Sequence, residues 1–187
     1  MVFKNDFKSL QMACDILFDK DFFGVSFGSI SQRINEESFI INKEDTILKN
    51  VNEDDFCKLV ANESMRWNEA SYDSYVHYAI YKTIKEAKFV IHSFSPYAAA
   101  LCYQTSGINL LKMSKEGIKS DMLKVFDTGI TDDERLQNQI PTYFVNTNQN
   151  IVLTRKSGVW SYGKDLSEAC ENLYHLEHLC KIKYIMR

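Results

Sequence analysis

The stretch KFVIHSFSPYAAAL, residues 88–101, predicts a strand that runs directly into a helix. Its apolar residues 89–91 lead into His92, and a serine and a proline then open a run of small residues. Serine favours the N-cap of a helix, and proline fits the first helical turn. A histidine at a strand end is a common place for a metal ligand, but the partner position two residues on holds Phe94. The stretch therefore raises the question of what His92 binds.

Helical and extended patterns alternate on both sides of this stretch, marked by apolar residues three or four apart and by apolar–polar alternation. The predicted helices cover residues 5–19, 72–87, 95–103, 132–148 with Pro141 near a break, and 165–184. The predicted strands cover residues 24–34 and 38–43 as a hairpin, 88–92, 123–129, and 150–163 as two strands around Gly158 or one bent strand. Residues 52–60 begin like a short helix, and residues 107–122 fit neither pattern well. The chain is therefore predicted to be an α/β protein with helices covering a sheet.

The composition predicts one globular domain, residues 1–187, in the cytoplasm. Hydrophobic residues make up 45% of the chain, which is enough for a substantial core. A net charge of −3 with no cluster of lysine and arginine argues against nucleic acid as a partner. No apolar run approaches the roughly 20 residues that cross a bilayer, and the N-terminus lacks the apolar core of a signal peptide. The five cysteines form no CxxC pair and are predicted to be reduced, mostly buried thiols.

Four blocks of sequence, in this order and spacing, resemble the class II aldolase and adducin head family, and within it the fuculose-phosphate aldolases. The blocks are GVSFGSISQRI with FIINKEDTI (residues 24–47), YDSYVHYAIYKTIKEAKFVIHSFSPYAAAL (72–101), VLTRKSGVWSYGKDLSEA (152–169) and ACENLYHLEHLCKIKY (169–184). The resemblance implies a three-layer αβα fold with a central, mostly antiparallel sheet. It also implies a chemistry, because enzymes of this family bind zinc through three histidines and use a glutamate as acid and base on small phosphorylated sugars. They typically assemble as tetramers.

The zinc positions of the family are mostly changed in this chain. By the resemblance, His92 stands at the first zinc histidine, Phe94 at the second and Ser157 at the third. Asp73 stands at the acid/base glutamate and is one methylene shorter. The resemblance therefore assigns Asp73 as the catalytic residue and His92 as a single retained metal-ligand position. Because zinc needs several such ligands together, no cofactor is expected, with zinc as the alternative.

Both residues also have a simpler interpretation. Asp73 could be an exposed residue in the first turn of its helix, where a negative charge suits the helix dipole. His92 could be a histidine that is only hydrogen-bonded at the end of a strand.

The phosphate-binding positions of the family are changed as well. Ser29 replaces an asparagine of the family's hairpin, and the following turn, residues 42–45, reads Asn-Lys-Glu-Asp. The two carboxylates of this turn would oppose a phosphate dianion, although its lysine offsets them in part. A serine pair usually precedes the acid, and here it reads Ser71-Tyr72. The predicted substrate-pocket residues are Ser29, Asn42, Lys43 and Ser71.

Other histidines and aromatic residues leave alternatives open. His77 and Tyr81 lie on the inner face of their helix and are predicted to be packed core with one satisfied polar end. His175 and His178 are spaced to bind a metal between them, but they fit a helix surface or subunit contact better. Phe94 is either ordinary core filling or part of an apolar pocket or subunit interface.

Two classes of function follow from these residues. In the first, the protein is a divergent family member without the zinc-dependent aldol cleavage of sugar phosphates. It keeps the fold to bind a small sugar-like ligand or to assemble, as a homotetramer. In the second, it is an active aldolase or dehydratase, a lyase that acts on a small sugar or sugar phosphate with a rearranged metal site. A subunit that forms a mixed oligomer with an intact relative is a third alternative.

Overall fold

An eight-stranded sheet with helices on both faces runs through the part of the chain that the computed structural model describes, residues 4–25, 27–61, 65–103, 107–109, 122–127, 133–155 and 157–186. The strands are β1 (Ser29–Arg33), β2 (Ser38–Asn42), β3 (Phe56–Val60), β4 (Phe89–Ser93), β5 (Gly107–Asn109), β6 (Met122–Asp127), β7 (Ile151–Arg155) and β8 (Gly158–Gly163). Their order across the sheet is β3-β2-β1-β4-β8-β7-β6-β5. Neighbouring strands are antiparallel except β6 and β7, which are parallel. The predicted mostly antiparallel sheet is confirmed.

Helices pack on this sheet in two separate layers. Those of the described residues are α1 (Lys4–Asp19), α2 (Ser74–Thr83), α3 (Pro96–Cys102), α4 (Asp133–Thr147) and α5 (Leu166–Ile185). Helices α1, α3 and α5 share one hydrophobic core with one face of the sheet, and α2 and α4 share a second core with the other face. Four of the five cysteines, all unpaired, are buried in these cores. The predicted three-layer αβα arrangement is confirmed, and no helix of the described ranges is long and apolar enough to cross a membrane.

Two predicted elements differ in the structure. Residues 52–60 start with the predicted short helix, a single 3-10 turn capped by the side chain of Asn52, but continue as the edge strand β3. The chain extends there because pairing with β2 buries three apolar residues of β3. Helix α4 continues through Pro141 without the predicted break, because Ile140 and Phe144 anchor both sides of the proline in the core. Of residues 107–122, only β5 and the start of β6 lie within the described residues.

The tight turn between β7 and β8 depends on Gly158. Of the two alternatives for residues 150–163, the structure has two antiparallel strands around this glycine. Its φ is +108°, which side chains rarely adopt, and a Cβ would lie 2.3 Å from the carbonyl oxygen of Ser93. Because a glycine lets the turn pass close to β4, the neighbouring carbonyl of Ser157 reaches His92.

The helix starts show which capping predictions depend on local sequence. Asp165 caps α5 by accepting a hydrogen bond from the backbone N–H of Glu168 at 2.8 Å, as predicted. Ser95 occupies the N-cap position of α3, but its side chain makes no capping bond. The carboxylate of Glu177, on α5, accepts hydrogen bonds from two N–H groups of the first turn of α3, at 2.8 and 2.9 Å. A tertiary contact therefore supplies the cap of α3.

Candidate functional site

Strand alternation places polar and aromatic side chains together on the face of the sheet that α2 covers. Residues two apart on a strand point to the same side, so Ser29 and Ser31 of β1 share this face. The strand register sets Ser29 opposite His92 of β4, and His92 opposite Trp160 of β8. Asp73 is the N-cap residue of α2 and lies over the same three strands. The site is therefore built by β1, β4, β8 and the start of α2.

Asp73 is the centre of the hydrogen bonding in this site. Its carboxylate accepts hydrogen bonds from the hydroxyls of Ser71 and Ser29, each at 2.8 Å. The same oxygen that accepts from Ser29 lies 2.5 Å from Nδ1 of His92. The side chain is 13% exposed and makes no capping bond to α2. The alternative of an exposed first-turn residue is therefore wrong, because Asp73 is turned into the sheet.

His92 has acceptors at both of its ring nitrogens. Nδ1 faces the carboxylate of Asp73, and Nε2 lies 2.6 Å from the carbonyl oxygen of Ser157. Neither an ionised carboxylate nor a carbonyl can donate a hydrogen bond, so both ring nitrogens must carry protons. The ring also stacks on Trp160 with centroids 3.9 Å apart and planes 9° apart, and an indole face attracts a cation. The geometry thus describes an imidazolium ion paired with Asp73.

A chain of buried hydrogen bonds continues from Asp73 into the interior. The hydroxyl of Ser29 donates to Asp73, so its oxygen accepts from Nε2 of His77 at 2.8 Å. A neutral His77 then accepts at Nδ1 from the hydroxyl of Ser31 at 2.7 Å. The oxygen of Ser31 in turn accepts from the hydroxyl of Tyr81, also at 2.7 Å. Every hydrogen bond of this chain, called the serine–histidine chain below, therefore points towards the carboxylate of Asp73.

Two pKa shifts set the charges around the serine–histidine chain. Burial alone would raise the pKa of Asp73, but the hydrogen bond from His92, the charges of the neighbouring imidazoles and the hydrogen bond from Ser29 hold it well below its usual range. Burial lowers the pKa of His77 to about 4, against the attraction of Asp73 and together with the repulsion of His92. At neutral pH the site therefore holds an ionised Asp73 carboxylate and a neutral His77 imidazole.

An open cleft of about 240 Å³ lies against the Asp73–His92 pair. The predicted site residues that line it are Asn42, Lys43, Ser71, Asp73 and His92. Phe27 and Tyr72 add aromatic surface to its wall. The remaining predicted pocket residue, Ser29, is fully buried beneath Asp73 and is not part of the lining. The structure therefore brings together five of the six predicted residues at the cleft and places the sixth in support of Asp73.

The polar groups of most predicted pocket residues are already used within the protein. The side-chain oxygen of Asn42 accepts from the N–H of Ile30 at 2.9 Å, and its amide nitrogen donates to the carbonyl of Lys43 at 3.2 Å. The hydroxyl of Ser71 donates to Asp73. These side chains therefore support the cleft wall. Of the predicted pocket residues, Lys43 differs, because the described contacts include no hydrogen bond or ion pair of its ammonium group.

Glu44 is a candidate functional residue that the sequence interpretation did not assign to the site. It lines the cleft, and one oxygen of its carboxylate accepts a hydrogen bond from the backbone N–H of Tyr72. Burial raises the pKa of Glu44, the bond from Tyr72 opposes this shift, and the charges of Asp73 and Asp45 add to it. A carboxyl whose pKa is raised is suited to exchanging protons. The sequence feature that could have identified Glu44 is its position in the turn that resembles the family's phosphate-binding turn.

The sequence interpretation also did not assign His77 and Tyr81 to the site, although their spacing from Asp73 indicates that the three residues share one side of a helix. Asp73, His77 and Tyr81 are four residues apart in sequence, which puts them on one side of a helix. His77 is fully buried and Tyr81 is 7% exposed, as predicted, but both ring nitrogens of His77 have partners rather than one. Trp160 gave no such signal, because its stacking on His92 depends on the pairing of β4 with β8.

The other residues with open alternatives lie at the surface. Phe94 is 39% exposed, so it does not fill the core. The edge of its ring packs against Phe27, with centroids 5.4 Å apart, and Phe27 packs against His92 in the same manner at 5.1 Å. Phe94 therefore packs on Phe27 of the cleft wall and is not itself part of the lining. His175 and His178 are exposed on α5, as predicted.

The side chains around His92 do not form a zinc-binding set. In the described parts of the chain, no group of three or more histidine, cysteine, aspartate or glutamate side chains is arranged to hold a metal. Protein zinc sites use three or four such ligands, and a ligating imidazole must be unprotonated at the bound nitrogen. Both nitrogens of His92 face protein acceptors, and its neighbour Asp73 is bonded three times. The donors present therefore do not fit zinc.

Comparison with known proteins identifies a matching family model and several proteins that resemble this chain. A family model described as the class II aldolase and adducin N-terminal domain matches residues 8–184. Two strains of Methanococcus maripaludis have an L-fuculose phosphate aldolase similar to this chain. One is 22% identical over 175 residues, covering 92% of each protein. The other is 21% identical over 173 residues, covering 92% of this chain and 93% of the relative.

Solved structures resemble this chain at lower sequence identity. The L-fuculose-1-phosphate aldolase of Thermus thermophilus superposes with a TM-score of 0.84 at 20% identity, covering 97% of this chain and 94% of that one. A sugar-phosphate aldolase of Thermotoga maritima superposes with a TM-score of 0.77 at 17% identity, covering 96% and 94%. At these identities the likeness establishes the fold, and the chemistry has to be argued from the residues of the cleft.

Proposed function

The chain belongs to the class II aldolase and adducin N-terminal domain family, and we propose that it binds a small polyhydroxylated ligand in the cleft at Asp73 and His92 without the zinc of the family's enzymes. The observation that carries this proposal is the pair of acceptors on His92. Because the Asp73 carboxylate and the Ser157 carbonyl occupy its two ring nitrogens, no lone pair is left for a metal. The resemblance inferred from four sequence blocks is confirmed at the level of the family.

The Asp73–His92 pair keeps capacity for a ligand after its internal bonds are made. An ionised carboxylate offers about four acceptor positions, and Asp73 uses three of them for Ser29, Ser71 and His92. A carbonyl oxygen has two lone pairs, and the carbonyl of Ser157 uses one for His92. Both groups line the cleft. Each can therefore accept a hydrogen bond from a ligand hydroxyl while the imidazolium holds the carboxylate ionised and in place.

Glu44 favours a second candidate function, the active aldolase or dehydratase. Its carboxyl has a raised pKa and lines the same cleft as Asp73, so it could exchange a proton with a bound sugar or sugar phosphate. This function would need activity on such compounds that depends on His92. Unchanged turnover in His92→Ala, measured on a panel of ketoses and ketose phosphates, would rule it out.

Ligand binding in the presence of a metal chelator tests the proposed function. Thermal unfolding with EDTA is expected to shift upwards for at least one sugar-like compound. A ligand at one hundred times its Kd stabilises a protein by about 2.7 kcal/mol, or roughly 5–10 °C for a chain of this size. The shift should be lost in Asp73→Asn and kept in His178→Gln, which changes an exposed residue on α5. A shift that disappears with EDTA and returns with zinc would contradict the proposal.

Assembly and location complete the proposal. The homotetramer, which light scattering would measure, stays a prediction from the family resemblance, and the cytoplasmic location stays a prediction from the sequence composition.

A further inference from the structure

We infer that the cleft selects a polyhydroxylated amine over a sugar phosphate. This inference rests on the proposed ligand-binding function and adds the charge class of the ligand. It follows from four properties of the described cleft residues: the balance of charges, the use of hydrogen-bond donors, the aromatic surface, and a buried donor without a partner.

The charges of the described lining residues leave the cleft negative. Asp73 and His92 neutralise each other at 2.5 Å. The turn beside them then contributes the carboxylates of Glu44 and Asp45 against the one ammonium of Lys43. Burial is the largest cause of the raised pKa of Glu44, and the charges of Asp73 and Asp45 add to it. A phosphate dianion would therefore meet more repulsion than attraction from these residues, and an ammonium group the reverse.

Apart from the ammonium of Lys43, three side-chain donors of the described lining, those of Ser71, Asn42 and Thr46, are engaged within the protein. A phosphate oxygen can only accept, so its site needs several donors. The hydroxyl of Ser71 donates to Asp73, the amide of Asn42 donates to a backbone carbonyl, and the hydroxyl of Thr46 donates to the carbonyl of Asp55 at 3.5 Å. The side chains of the cleft wall thus offer a ligand mostly hydrogen-bond acceptors. One of them is the carboxylate of Asp45, for which the described contacts include no hydrogen bond or ion pair. Acceptors suit ammonium and hydroxyl groups.

Aromatic surface adds attraction for a cation. Tyr72 is 62% exposed and lines the cleft next to the Glu44 carboxylate that its own backbone N–H holds. An ammonium group is attracted by an aromatic ring and by a carboxylate, and the described lining contains both. Phe27, on the lining beside His92, provides apolar surface for the carbon skeleton of the ligand.

Trp160 supplies an independent sign of an absent hydrogen-bond partner. Its side chain is fully buried, belongs to the cleft lining, and has no acceptor for its indole N–H. A buried donor without a partner is costly, and native structures leave few of them. A hydroxyl group can accept from this indole and donate to a neighbouring carboxylate at once. A hydroxyl-bearing ligand therefore suits the unpartnered donor of this lining residue, and an amino group suits the carboxylates of the turn.

A matched set of three ligands tests the inference. It consists of an uncharged ketose, its 1-phosphate and its 1-amino-1-deoxy derivative, each titrated calorimetrically into the metal-free protein at low salt. The amine is expected to bind at least fivefold more tightly than the uncharged ketose, the fold-change of one weakly screened charge interaction, and the phosphate should bind most weakly. Added salt should reduce the differences, because exposed charges are screened.

A variant of the acidic wall makes the test specific. Asp45 has a φ of +57°, which asparagine adopts as readily as aspartate, so Asp45→Asn keeps the turn. This variant, and Glu44→Gln beside it, should bring the affinities of the amine and the uncharged ketose closer together. Glu37→Gln, which removes an exposed carboxylate from the turn between β1 and β2, should leave the ranking unchanged.

The outcomes separate this inference from the proposed function. Tightest binding of the phosphate, or equal binding of all three ligands, would overturn the inference and leave metal-free ligand binding intact. Failure of all three ligands to bind would overturn both. Tightest binding of the amine, weakened in Asp45→Asn but not in Glu37→Gln, would support both.

Discussion

Replacing Asp73 by alanine is expected to lower the free energy of unfolding by about 3–5 kcal/mol and to abolish ligand binding. The carboxylate accepts hydrogen bonds from Ser29, Ser71 and His92. The side chain of His92 is only 7% exposed. Removing the Asp73 carboxylate would therefore leave an almost buried imidazolium without its counter-ion. Breaking a buried ion pair by deleting one partner typically costs this much, because the remaining charge is uncompensated. Urea denaturation at neutral pH measures the change.

A double-mutant cycle separates the ion pair from simple loss of packing. In a His92→Gln background there is no imidazolium for the Asp73 carboxylate to neutralise. Asp73→Ala should therefore lower the free energy of unfolding by at least about 1.5 kcal/mol less in this background than in the wild type. Glu37→Ala, at an exposed position, should change stability by no more than about 0.5 kcal/mol. Additive effects of the two site substitutions would contradict an imidazolium–carboxylate pair.

Acidification from about pH 6.5 to pH 4 is expected to remove about 3 kcal/mol of stability through His77. Burial lowers the pKa of this histidine from 6.5 to about 4. In this window the unfolded chain binds a proton at His77 while the folded protein does not, so stability falls as the pH falls. Each unit of pKa difference corresponds to 1.36 kcal/mol. The free energy of unfolding, measured in urea across the window, records the loss.

The comparison with His77→Gln isolates this contribution from other groups. A glutamine can donate to Ser29 and accept from Ser31 as neutral His77 does, but it cannot take up a proton. The variant should therefore lose less stability on acidification than the wild type. Glu44 and Glu177 have raised pKa values and act in the opposite direction, but they do so equally in both proteins. His175→Gln, an exposed control, should behave like the wild type. Equal slopes for His77→Gln and the wild type would contradict the lowered pKa, because they would show that His77 binds protons equally in the folded and unfolded states.

Much of the fold could be predicted because its signals are local. The apolar run that leads into His92 predicted β4, and Asp165 with Glu168 predicted the start of α5. The errors arose where tertiary contacts overrode local preference. The acidic residues before β3 suggested a helix, but pairing with β2 holds this segment in an extended strand. The cap of α3 comes from Glu177, 80 residues away from the backbone it binds, and no local pattern reports such a contact.

The candidate site was only partly predictable for a related reason. Asp73 and His92 were assigned from the family resemblance, and the structure places them in direct contact. The second acceptor of His92, the carbonyl of Ser157, is a backbone group brought to the ring by the close turn at Gly158. A side-chain alignment cannot show it. The family resemblance predicted which ligand positions differ in this chain, and the structure was needed to find which groups His92 contacts.

Zinc content provides the most direct test of the claim that His92 is held by protein acceptors rather than by a metal. Wild type and His92→Ala would be purified without chelator, incubated with one equivalent of zinc, passed through gel filtration and analysed by inductively coupled plasma mass spectrometry. The account predicts the same low zinc content in both proteins, well below one ion per chain. One zinc per chain in the wild type that is absent from His92→Ala would contradict it.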